Sequence, residues 1–174
     1  MSLQLDTVFM AAIEANEKVM NIIGGRRWCT AAARPIEEFI SNVQVPYLIV
    51  NYDGMSSEPG TKDDDFDSGC DTVNISITVT GNTPEQLGDL ATRVRRAVHH
   101  YLNAHVGEAG MPTSAIPSAG EKVYNDVKPC YAIELHWQCA VDFDLNAAKW
   151  IIPSTFFSCS KTEKKASLSQ ISTL

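Results

Sequence analysis

Residues 73–98 read VNISITVTGNTPEQLGDLATRVRRAV, and the pattern changes period across Gly81 and Asn82. In the first part Val73, Ile75, Ile77 and Val79 alternate with Asn74, Ser76, Thr78 and Thr80. Strict alternation sends the two sets to opposite faces of a strand, so this strand has one buried and one wet face. In the second part Thr83-Pro84-Glu85-Gln86 is a capping box with proline at the first helical position. The threonine and glutamine side chains there satisfy each other's exposed amides. The helix so opened runs to about Leu102, with Leu87, Leu90, Ala91, Val94, Ala97, Val98 and Tyr101 on one face. A half-buried strand running straight into an amphipathic helix predicts a helix laid over a sheet.

Toward the C-terminus, residues 103–122 hold Gly107, Gly110, Pro112, Pro117 and Gly120 and read as an irregular connection or a loosely paired strand. Tyr131, Ile133, Leu135, Trp137, Cys139, Val141 and Phe143 then alternate with polar residues. Thirteen residues at about 3.3 Å each give a strand of about 43 Å, well beyond the usual length. Toward the N-terminus, residues 46–52 (PYLIVNY) form a strand opened by proline, and residues 53–70 follow as a long polar loop. Residues 3–23 read as one amphipathic helix with Asn16 its single interruption, stopped by Gly24 and Gly25. Residues 26–33 are ambiguous, with a short strand around Trp28 one reading, and residues 35–40 suit one or two helical turns. The expected architecture is α+β. An antiparallel (mixed) sheet of about four main strands packs against two helices on one face, with long loops between them. Residues 1–150 are expected to form a single domain. Residues 151–174, rich in Ser, Thr and Lys, read as a C-terminal extension that is flexible or ordered by a partner.

At 174 residues the chain is long enough for one core. Its 21 acidic residues outnumber 14 basic ones, for a net charge of −7, which disfavours gripping nucleic acid. The cysteines are Cys29, Cys70, Cys130, Cys139 and Cys159, an odd set with no CxxC pair. They read as reduced thiols rather than a disulfide framework or a zinc site, which implies folding in the cytoplasm. The N-terminus lacks a basic lead-in, and no run of about 18 apolar residues occurs, so neither a signal peptide nor a membrane span is expected.

Candidate chemistry is thin. Asp63, Asp65 and Asp67 match positions of a calcium-binding loop, but Ser68 stands where glycine is needed and Asn74 where the bidentate Glu should be. The acidic residues Asp63, Asp64, Asp65 and Asp67 therefore read as a solvated or partner-facing loop. His136 and Cys139 point to opposite faces of one strand and cannot share a metal. Gly24-Gly25-Arg26-Arg27 has the composition of a phosphate-binding turn, yet it follows a helix C-terminus, where the dipole repels anions. No GxSxG, HExxH, GxGxxG or P-loop occurs, so no catalytic residue, metal or cofactor is assigned. One basic feature stands out on the acidic chain: Arg93, Arg96 and His100 on one helical face. The stripe is either a solvated face or the partner of the acidic residues 63–67 on a neighbouring copy, since opposite patches on one chain favour head-to-tail rings.

Three segments carry a resemblance. An N-terminal helix, then Val45-Pro46-Tyr47-Leu48-Ile49-Val50, then an alternating strand leading into Thr83-Pro84-Glu85-Gln86-Leu87 and its ATRVRRAV helix resemble the tail-completion, or tail-terminator, proteins of long-tailed bacteriophages. The likeness spans residues 3–143; residues 26–44, 103–122 and those beyond 150 depart from the family's pattern. The resemblance implies a virion protein assembled in the host cytoplasm, forming a ring, typically of six copies. Such a ring caps the tail tube and joins it to the head connector. Its partners would be the tube protein and the connector protein, and DNA would pass through its lumen without specific binding. The competing reading is a monomeric or dimeric α+β adaptor that recognises a protein partner.

Overall fold

The computed structural model describes residues 4–57 and 68–144. Ten elements follow in chain order: α1 (Leu5–Glu14), α2 (Glu17–Ile23), β1 (Arg27–Cys29), α3 (Ile36–Asn42), β2 (Leu48–Ser57), β3 (Ser68–Gly81), α4 (Pro84–Ala104), β4 (Ser114–Ala119), β5 (Val123–Asn125) and β6 (Cys130–Asp144). The class is α+β. One six-stranded sheet runs β1-β2-β3-β6-β4, with β5 also pairing β6. Every pairing is antiparallel except that of β1 with β2, which is parallel.

The long strands form where alternation demands them. β3 pairs with β6 over its full length, from Ser68 opposite Asp144 to Gly81 opposite Tyr131. Val73, Ile75, Ile77 and Val79 of β3 and Leu135, Trp137, Cys139 and Val141 of β6 are buried on the same face. Against that face lie α1, α2 and α4, whose Leu5, Phe9, Ile13, Val19, Leu87 and Leu90 complete the main core. Phe9 meets Trp137 edge to face at 5.3 Å between centroids, a favoured aromatic geometry.

Three expectations change in detail, and one that had two readings is decided. The helix expected over residues 3–23 is two helices, because the Asn16 side chain accepts a 3.1 Å bond from Val19 N and caps α2 afresh. Of the loop expected at 53–70, residues 53–57 belong to β2 and residues 68–70 to β3; Ser56 opposite Thr72 and Ser57 opposite Asp71 satisfy the backbone of a polar stretch. Of the connection at 103–122, residues 114–119 pair with β6 as β4, and Pro117 is tolerated because β4 is an edge strand. In the capping box Gln86 N donates to Thr83 Oγ1 at 3.2 Å, but the Gln86 side chain accepts from Asn82 N at 2.7 Å, one residue earlier than the motif predicts.

The opposite face of the sheet is covered at one corner. Phe39 of α3, Tyr47 and Ile49 form a second, smaller core joined by Trp28, Ile36, Ile40, Val43 and Val45. Alternation along β2 explains both cores: Leu48 and Val50 face the main one, Ile49 the other. Lys128, just before β6, holds this corner by donating from Nζ to the carbonyls of Ile40 and Val43 at the end of α3, and lies 5.4 Å from the Tyr47 ring centre.

Candidate functional site

The outer surface of α4 bears two neighbouring stripes. Arg93 is engaged within the helix, its Nε 2.7 Å from Asp89 Oδ2 one turn earlier. Thr92, Arg95, Arg96, His99, Asn103 and Val106 instead border a groove between the second half of α4 and strand β4. Arg96 thus lies in the groove wall, whereas Arg93 and His100 are not part of its lining. Asp63, Asp64, Asp65 and Asp67 lie outside the described residues, as does the segment 151–174.

The groove encloses about 540 Å³. Its floor is apolar: Leu102 from the helix, Pro112 and Ala115 from the far wall, and Trp137 beneath, with Leu102 and Trp137 buried. Its rim is basic and polar, and no Asp or Glu among the described residues lines it. Neither Arg95 nor Arg96 has a carboxylate partner among the described residues. His99 is held in place by Asn103, whose Nδ2 donates to His99 Nε2 at 3.0 Å. An apolar floor under a cationic rim suits a ligand that combines an apolar side chain with carboxylates. Arg95 and His99 carry no special signal in the sequence, because the wall that makes a groove of this helix face is β4. That strand becomes evident only through its pairing with β6.

Elsewhere the polar groups serve the fold. Arg26 donates from Nε to Pro46 O at 2.8 Å and from an Nη to Ile22 O at 2.6 Å, while Arg27 pairs with Glu14 at 2.7 Å. The glycine-arginine turn is a staple between α2 and the start of β2, with Gly24 at φ 55°. On the other face of the sheet, a bulge between Tyr52 and Gly54 turns Asp53 toward Ser76, whose Oγ donates to Asp53 Oδ1 at 3.1 Å. His136, on that face, lies 3.7 Å from Glu134, and Cys139 faces the core. Burial pushes the Cys139 thiol up to about 12, far from the range of a reactive nucleophile. Among the described residues no three His, Cys, Asp or Glu side chains converge as metal ligands. No helix among them is long and apolar enough to cross a membrane.

No protein-family model matches the chain, and no curated protein matches it in sequence. A solved structure does match. It is a chain in a structure described as the virion of a native gene transfer agent particle, at 12% identity and a TM-score of 0.56. The alignment covers 79% of this chain and 94% of that chain. At that identity the likeness is one of fold, and it extends over nearly all of the neighbour.

Proposed function

We propose that this chain is a structural protein of a phage-like virion, one copy in a ring that ends the tail tube and joins it to the head connector. The observation that carries the reading is the fold shared with a chain of a gene transfer agent virion, over 94% of that chain's length. The order of the N-terminal helix, the Pro46-Tyr47 strand and the capped α4 supports the narrower assignment to tail completion. A net charge of −7 suits a lumen through which DNA slides without sticking. The reading is non-enzymatic and needs no cofactor. Subunit contact between the basic face of α4 (Arg93, Arg96 and His100 together with the groove rim) and Asp63, Asp64, Asp65 and Asp67 of a neighbour would be head-to-tail, the geometry from which rings close.

Native mass spectrometry over a concentration series tests this. Six copies of 19.1 kDa give a species near 115 kDa, and its appearance supports the ring. A monomer at every concentration, also in the presence of purified tube protein, favours the adaptor reading, in which the groove beside α4 takes a partner's peptide.

A further inference from the structure

Residues 63–67 read Asp-Asp-Asp-Phe-Asp, a single phenylalanine among four carboxylates. The groove beside α4 has the complementary features in the same small space. Its floor of Leu102, Pro112, Ala115 and Trp137 is apolar, and its rim carries Arg95, Arg96 and His99 with no acidic residue among the described ones. Among the described residues the cleft is lined only by cationic and neutral groups, on a chain with 21 acidic residues. We propose that this groove receives residues 63–67 of a second copy of the chain, with Phe66 on the apolar floor and the flanking aspartates on the arginine rim. The inference rests on the ring reading and names the contact by which one subunit holds the next.

Each half of the match supplies what the other lacks. Burial of the Phe66 ring against Trp137 and Leu102 provides the apolar anchor, a large gain for one residue. Arg95 and Arg96, without carboxylate partners among the described residues, gain charge-assisted hydrogen bonds from the aspartates. The groove and residues 63–67 are different parts of the chain, so the contact is heterologous and leaves a free groove and a free anchor at the two ends of any open chain of subunits.

The test uses two full-length variants, Phe66→Ser, which removes the anchor, and the double variant Arg95→Glu/Arg96→Glu, which reverses the rim. Alone, each is expected to lose association at least tenfold relative to the unaltered chain by native mass spectrometry. Mixed in equal amounts they are expected to recover a one-to-one pair, because one intact groove then meets one intact anchor. Variants that assemble like the unaltered chain overturn the docking while leaving the ring reading standing. Loss in each variant without recovery in the mixture overturns the assignment to a second copy and indicates that residues 63–67 occupy their own chain's groove. If the unaltered chain stays monomeric, also in the presence of purified tube protein, the ring reading fails on its own. A labelled peptide of residues 61–69 titrated into the Phe66→Ser chain then decides the docking. Binding that Arg95→Glu/Arg96→Glu abolishes supports recognition by the groove, and no binding overturns it.

Discussion

Thr80 shows how much a single hydroxyl settles at the start of β2. Its Oγ1 accepts from Tyr47 N at 2.8 Å and donates to Tyr47 O at 2.9 Å, and Thr80 is 1% exposed. The preceding residue, Pro46, has no N–H to offer a ladder, so the side chain of β3 supplies the pairing that opens the strand. Thr80→Val keeps the shape and strands Tyr47 N, and is expected to cost about 1–3 kcal/mol in chemical denaturation. A loss below a few tenths of a kcal/mol would show that water replaces the hydroxyl. Cys139 makes a prediction of opposite character, one that depends on pH. Its thiol, ordinarily near 9, is raised to about 12 by burial. Above pH 9 the unfolded chain therefore releases a proton that the folded chain keeps, so the unfolded state is favoured as pH rises. The stability associated with this thiol is complete below pH 9 and falls by up to about 1.4 kcal/mol per pH unit toward 12. Cys139→Ala should be less stable at pH 7 by about 1–2 kcal/mol, with a shallower decline between pH 9 and 11. Parallel declines in the two proteins would refute the assignment.

Two glycines at the β3–α4 junction have contrasting effects on their elements. A Cβ on Gly81 would stand 2.8 Å from Leu87 N, so the helix could not start where it does without moving. Gly81→Ala is expected to destabilise by about 1–3 kcal/mol through overpacking against backbone. Gly88 lies inside α4, and a Cβ there would meet only the flexible end of Lys122 at 3.7 Å. Gly88→Ala should therefore stabilise by about 0.5–1 kcal/mol, the ordinary helix preference for alanine. Thermal unfolding of the two variants checks the pair; shifts of the same sign would refute the account of this junction. This junction was also where the sequence was most readable. β3, α4 and β6 announce themselves because one face of each is buried along most of its described length, which imposes a period on the residues. β1, β5 and the covering of the second face by α3 left no such trace. They depend on partners far along the chain, as when Lys128 reaches the carbonyls of Ile40 and Val43. Half of the groove was legible for the same reason. Arg96 stood out on the periodic helix, but the opposite wall is the Pro-containing edge strand β4, with no period of its own.

For the whole molecule, salt separates two electrostatic effects that act in opposite directions. Copies carrying −7 repel one another over distances of tens of ångströms, while the proposed docking sets Arg95 and Arg96 against aspartates at hydrogen-bond range. Added salt weakens both, so its net effect on assembly depends on which was still unscreened. At 0.1 M the screening length is about 10 Å, so repulsion between the bodies of two copies is already largely gone. Going to 1 M shortens it to about 3 Å and acts chiefly on charges close to one another. The association constant of the unaltered chain is therefore expected to fall several-fold between 0.1 and 1 M salt. The double variant Arg95→Glu/Arg96→Glu, which has no attraction to lose, should show no such fall. Sedimentation or native mass spectrometry across the series reads both. Association that strengthens with salt would mean that the copies meet through apolar surface alone, and would remove the charged rim from the contact while leaving the ring itself in place.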